Sequence, residues 1–277
     1  NDYVEEDYLY INNKNGSFTE SLKSSFGHLS NFSMGVDIAD INNDGLADIF
    51  TLDMLPQDNR RQKLLYAPDN YELYNNTLQN GFYHQLMRNM LQVNNGNGTF
   101  SEVGQTAGIS KTDWSWGALL ADFNNDGKKD LFVTNGYGRD MTNRDFVKFY
   151  ANERLKHLQG KTDSRMFQML KGIKSTPLHN YIFENTNGTQ FKDQSMDWGF
   201  GELNFSHGTA YADLDNDGDL DLVVNKMNQE AGIYKNNTIE NKSDGNFLKL
   251  QLTTAQNKFA PGANTTVFTE SGSYSIE

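Results

Sequence analysis

Asp213-Leu-Asp-Asn-Asp-Gly-Asp-Leu-Asp221 puts side-chain oxygens at positions one, three, five and nine of a nine-residue loop, with glycine at six. A calcium ion asks for this chemistry: roughly six to eight hard oxygen ligands at about 2.3–2.6 Å, supplied by a flexible loop. Asp213, Asp215, Asp217 and Asp221 would give carboxylates, and Asp219 at position seven a backbone carbonyl. Gly218 permits the sharp turn between them. Asp/Asn/Gly-rich turns also occur without any ion, because these residues favour turns locally. Repetition decides between the readings. Asp40-Ile-Asn-Asn-Asp-Gly-Leu-Ala-Asp48 and Asp122-Phe-Asn-Asn-Asp-Gly-Lys-Lys-Asp130 carry the same pattern. Their ligand sets are Asp40, Asn42, Asp44, Asp48 with the carbonyl of Leu46, and Asp122, Asn124, Asp126, Asp130 with the carbonyl of Lys128. Three calcium sites are therefore expected.

The spacing around the loops is fixed as well. Phe18, Phe100 and Phe191 each stand 22 residues before a loop, and an alanine (Ala39, Ala121, Ala212) directly precedes each one. Ser33, Ser115 and Ser206 stand seven residues before the loops, and Gly35, Gly117 and Gly208 five before. Three copies of one unit of about 46 residues follow from this register. They cover residues 9–54, 91–136 and 182–227. Each opens with a strand, an Asn/Gly turn and a second strand, as in Leu91-Gln-Val93 followed by Asn94-Asn-Gly-Asn-Gly-Thr-Phe100. Each ends as strand, metal loop, strand. Four short strands per unit predict an all-β fold, a β-propeller built of blades.

Residues 55–90 and 137–181 have no counterpart in the unit. The stretches Asn59–Leu65, Gly81–Met90, Asn143–Leu158 and Ser164–Ile173 are expected to form short helices on one face of the blades. After the third unit, Gly232-Ile-Tyr-Lys-Asn-Asn237 restarts the opening phrase, but no fourth loop follows. Phe247–Leu252 and Ala263–Thr269 alternate like β-structure.

The chain has 277 residues and a net charge of −12, which argues against nucleic acid as a partner. Ten carboxylates on ligand positions explain much of this acidity. There is no cysteine, hence no disulfide framework or thiol chemistry. No run reaches the ~18 apolar residues of a membrane helix. Millimolar calcium outside cells suits these loops and favours an exported protein. Catalytic signatures are missing: no Gly-x-Ser-x-Gly elbow, no His-Glu-x-x-His and no phosphate loop. His207 fills the slot of Met34 and Trp116, which points to packing. Trp114, Trp116 and Trp198 fit blade packing, with sugar stacking as the alternative.

The loops and their spacing resemble the FG-GAP/VCBS repeat family, whose calcium-binding blades also occur in integrin α subunits. Asn246-Phe-Leu-Lys-Leu-Gln-Leu252 with Gly262-Ala263 resembles the opening of an ASPIC/UnbV module, as in bacterial members and in proteins similar to cartilage acidic protein. Asn80-Gly-Phe-Tyr-His-Gln85 with Arg88-Asn89 resembles surface lipoproteins of Bacteroidota associated with SusC/SusD-type transporters. The resemblance implies propeller blades over 1–245 and the start of a β module over 246–277. It also implies a calcium-binding, non-enzymatic scaffold, outside the cell or on the bacterial outer membrane, with a SusC/SusD-like protein partner. A glycan ligand is a further candidate, and a carbohydrate-active enzyme on the same scaffold is the alternative. Family propellers have about seven blades, so three units do not close such a ring.

Overall fold

The computed structural model describes residues 5–66, 70–158, 172–241, 247–256, 258–260, 263, 265–270 and 272–276. The strands of its first half are β1 (Tyr10–Asn12), β2 (Phe18–Glu20), β3 (Leu29–Ser30), β4 (Val36–Ala39), β5 (Asp48–Thr51), β6 (Gln85–Leu86), β7 (Met90–Asn94) and β8 (Phe100–Glu102). Then come β9 (Ser115–Ala121), β10 (Asp130–Asn135), β11 (Tyr181–Asn185), β12 (Phe191–Asp193), β13 (Ser206–Ala212), β14 (Asp221–Lys226) and β15 (Gly232–Tyr234). A last hairpin joins β16 (Thr265–Thr269) to β17 (Gly272–Ile276). Short helices α1 (Leu22–Ser25), α2 (Asn59–Leu65), α3 (Tyr71–Gln79), α4 (Gly104–Ala107), α5 (Arg144–Leu158) and α6 (Thr238–Asn241) punctuate the strands.

The fold is all-β, in successive antiparallel sheets ordered β4-β5-β7-β8, β9-β10-β11-β12 and β13-β14-β15. Sequence unit and sheet are out of step. Each sheet takes its first two strands from the metal-loop hairpin of one unit and its outer strands from the opening hairpin of the next. The unit-by-unit reading placed all four strands of a blade in one unit; the ladder hydrogen bonds cross the unit boundary instead. Every sheet therefore ties two units together.

The inner strands β4, β9 and β13 stand side by side at a close approach. A side chain on Gly35 would collide with the Trp116 carbonyl, and one on Gly117 would lie 3.0 Å from the His207 carbonyl. Asp37 accepts the Leu120 N–H at 2.6 Å across the same seam. The glycines before the first two loops follow from this crowding, whereas a side chain on Gly208 would meet nothing within 4 Å.

The central strands are buried on both faces, so they read as unbroken apolar runs rather than alternating ones. On β11, Tyr181 and Phe183 join Phe50, Leu91 and Leu131 in one core, while Ile182 joins Phe132, Leu222 and Val224 in another. The period of two sends neighbouring residues to opposite sheets.

The loop aspartates at position nine fasten these sheets. Asp48, Asp130 and Asp221 open β5, β10 and β14, and are 0 %, 0 % and 3 % exposed. One oxygen of each accepts the N–H of the second loop residue: Ile41 (3.1 Å), Phe123 (3.1 Å) and Leu214 (3.0 Å). The other accepts an asparagine N–H from the next unit: Asn94 (2.8 Å), Asn185 (2.9 Å) and Asn236 (2.8 Å). Those asparagine amides donate in turn to the carbonyls of Ala47, Lys129 and Leu220. Asn185 and Asn236 also reach the preceding loop, at the carbonyls of Ile41 (2.9 Å) and Phe123 (2.7 Å).

Both insertions leave from the ends of the inner hairpins opposite the metal loops. Helix α2 is capped by Asp58, whose side chain accepts the Arg61 N–H. Arg61 then clamps the two insertions to the blades. Its guanidinium meets Asp113 at 2.5 Å and Asp140 at 3.0 Å, and Thr176 donates to Asp140 at 2.6 Å. Burial opposes the charge, yet the two carboxylates raise the arginine pKa further.

Three expectations need correction here. Gly81–Met90 is not helical: Gly81 sits at φ +90 just past α3, and Gln85–Leu86 pairs in parallel with Leu29–Ser30. Phe247–Leu252 alternates like a strand but lies in none. Tyr71–Gln79, outside every expected helix, forms α3, and Leu65 of α2 is only 5 % exposed. Most of Ser164–Ile173 lies outside the described residues.

Because the Asn185 side chain holds two buried carbonyls, Asn185→Ala should cost about 1–3 kcal/mol for each group left unpaired. Thermal melts should show a fall of several degrees, larger than for Asn94→Ala: both side chains accept one turn N–H, from Gly188 and Gly96, but Asn94 donates to a single carbonyl, that of Ala47. Equal melts for both variants would contradict the cross-unit fastening.

Candidate metal centre

Each loop bends through two left-handed residues. Asn43, Asn125 and Asn216 lie at φ 60, 53 and 62, and Gly45, Gly127 and Gly218 at φ 84, 87 and 98. Asparagine and glycine tolerate this region best. The bend turns the early carboxylates back onto the loop's own amides. Asp40 accepts the N–H groups of Asp44 (3.1 Å) and Gly45 (2.8 Å). Asp122 does the same with Asp126 (3.1 Å) and Gly127 (2.8 Å). At position three, Asn42 and Asn124 accept the Asp44 and Asp126 N–H groups. At position five, Asp44 and Asp126 accept those of Leu46 and Lys128.

The third loop repeats the bonds of positions three and five, Asp215 accepting the Asp217 N–H (3.3 Å) and Asp217 the Asp219 N–H (3.2 Å), and differs at position one. Asp213, Asp215 and Asp217 each offer a carboxylate oxygen within 4.8 Å of the others, so this cluster could hold a metal ion. Among the described residues, buried oxygens on Asp213, Asp217 and Asp219 find no hydrogen-bond partner, and the Lys235 ammonium stands 3.7 Å from that of Asp217. Two exposed lysines pair with this cluster: Lys235 at 2.7 Å from Asp215 and Lys249 at 3.5 Å from Asp213. Lys235 holds Asp215 below its ordinary carboxylate range. In the second loop Lys128 meets Asp126 at 2.9 Å. These ammonium groups partly neutralise the loop carboxylates.

Burial drives the opposite shift deeper in the loops. It raises Asp48 and Asp122, and pushes Asp130 up to about 7, with Asp122 and Asp126 adding repulsion. Burial also raises Asp219. A divalent cation offsets both desolvation and like-charge repulsion. The donor set is all oxygen, which suits a hard cation.

Of the expected ligands, position nine is already bound on both oxygens by backbone N–H groups, each oxygen keeping a second lone pair for an ion. Leu46, Lys128 and Asp219 follow the glycine at position seven. The sequence reading missed the asparagine at position four. Asn43 donates to the Gly127 carbonyl at 2.9 Å, and Asn125 to the Gly218 carbonyl at 3.3 Å, linking loop to loop. It also missed Asn94, Asn185 and Asn236 as partners of the loops. Their signal was present as the recurrent asparagine of the hairpin phrase.

The C-terminal segment lies over this face. The Phe247 ring leaves no room for a side chain at Gly218, and the Tyr274 ring leaves none at Gly127. At the opposite ends of the inner hairpins the tryptophans pack together. Trp114 stacks on Tyr137 with centroids 4.2 Å apart, and Trp116 meets His207 edge-on at 5.1 Å. Trp198 packs against the core between the second and third sheets. Among the described residues, no helix is long and apolar enough to cross a membrane.

No curated protein matches this chain. A family model described as FG-GAP-like repeat matches residues 1–51 and 80–133, stretches that contain the first loop and the second. The chain thus carries FG-GAP-like repeats in these two stretches.

Proposed function

We propose that the chain is a calcium-stabilised, non-enzymatic binding scaffold on the outside of a cell, with calcium in all three loops. The observation that carries this reading is the Asp213, Asp215 and Asp217 cluster, with its unpartnered oxygens and paired lysines, in a loop spaced like two others. The FG-GAP-like repeats support a protein-binding or adhesion role. The ions would hold the loops, and the insertions would meet the partner. Arg61 and Leu65 anchor the insertions, while Tyr71 and Leu73 on α3 and Val147, Phe149 and Leu155 on α5 stand 49–78 % exposed. Apolar surface of that kind usually marks a contact. Within this reading the partner is a protein of an outer-membrane uptake complex of the SusC/SusD type.

Calcium at a hundredfold excess over its Kd adds about 2.7 kcal/mol per site to the folded state. Chelation should therefore lower the melting temperature by many degrees, restored by calcium. Site-resolved titration should fill the third loop first and the second last, since the third offers most carboxylates and Lys128 opposes the second. An unchanged melt after verified metal removal would overturn the proposal.

Replacing α3 and α5 by Gly/Ser linkers, with Arg61, Leu65 and Asp140 kept, should preserve the calcium-dependent melt and abolish capture of the uptake-complex partner. Partner binding by that variant at full strength would show that the insertions do not carry recognition.

A further inference from the structure

The first two sheets have four strands and the third has three. Strands β8 and β12 lie on β7 and β11 in one register, with Asn94 opposite Phe100 and Asn185 opposite Phe191. The phenylalanine of each fourth strand turns into an apolar cluster. Phe100 meets Phe26 edge-on at 4.9 Å, and Phe191 packs on the core between the first and second sheets.

Strand β15 is built as the equal of β7 and β11. Asn236 makes the same bonds to Asp221 and Leu220 that Asn94 and Asn185 make in their sheets. Ile233 stands opposite Val223 as Ile182 stands opposite Phe132. In the complete sheets the outward carbonyls of Leu91 and Ile182 accept the N–H groups of Val103 and Gln194. No strand lies beyond β15 among the described residues, and Ile233 is 72 % exposed. Beside this edge runs a groove of 840 Å³ lined by Trp198, Phe200, Leu222, Tyr234 and Gln194. It lies between the second and third sheets, where the phenylalanine of a fourth strand would go. Gln194 is 9 % exposed, and its Oε1 finds no hydrogen-bond partner.

We propose that the β15 edge and this groove form an acceptor site for an extended segment of a partner protein, added as the fourth strand. That segment carries phenylalanine opposite Asn236 and an acidic residue directly after it. The phenylalanine follows from Phe100 and Phe191. The acidic residue follows from the pair Glu184 and Lys192 in the second sheet, because Lys235 occupies the place of Glu184. Lys235 lines the groove, its ammonium also meeting Asp215 and Glu240, both at 2.7 Å. The chain's own next phenylalanine, Phe247, is followed by leucine, and its ring is seated on Gly218 instead. This surface lies apart from α3 and α5, so it stands or falls separately from their role.

The test is a titration of the full chain, in calcium, with a labelled peptide copying Asn187–Gln194 and bearing Lys192→Glu. Saturable binding is expected, roughly tenfold weaker for the same peptide with Phe191→Ala. N-methylation of the peptide's ladder amides should abolish it, and so should Ile233→Pro in a chain that keeps its calcium-dependent melt. Absence of saturable binding, or equal affinity for the alanine peptide, would overturn the proposal. Binding that appears only after deletion of residues 242–277 would also overturn it, by making the chain's own tail the occupant.

Discussion

A buried carboxylate that accepts backbone N–H groups from two different units is the constraint on which the rest depends. Asp48, Asp130 and Asp221 each join the start of a metal loop to the outer hairpin of the following unit. Charge-assisted bonds of this type are about twice as strong as neutral ones. They are made in a place where an unpaired carboxylate would be costly. Removing the outer hairpin would strand the carboxylate, and removing the carboxylate would strand two amides. The unit therefore cannot complete itself alone, as expected of repeat proteins stacked on their neighbours.

The same carboxylates create the electrostatic problem that a cation relieves. Burial and repulsion raise Asp130 to about 7, while the third loop draws lysines from β15's end and from the C-terminal segment. The acidic loops and the sheet fastening thus share position nine, whose two oxygens accept backbone N–H groups from the loop and from the following hairpin.

Much of this was legible in the sequence because it is local. Loop spacing, the left-handed glycine and the recurring Phe–loop interval follow from residues within one unit. The phase between unit and sheet was not legible, because a 46-residue period is the same wherever the sheet boundary is drawn. Only the long-range pairing of Phe50 with Leu91 and of Leu131 with Phe183 sets it. The insertions resisted for another reason. Gly81 opens the expected helix Gly81–Met90 but lies just past α3, and the Arg61 clamp joins residues 52 and 79 positions apart. The spacing of Phe247–Leu252 suits a strand, yet a strand also needs a partner edge, which pattern alone does not supply.

Hydrogen exchange at the backbone amides of Asn94, Asn185 and Asn236 tests the account most directly. With calcium bound, all three should exchange only through global unfolding, and chelation should speed them together by orders of magnitude. Exchange as fast as in the exposed hairpin turns, or unchanged by calcium, would contradict the coupling of metal loop to sheet.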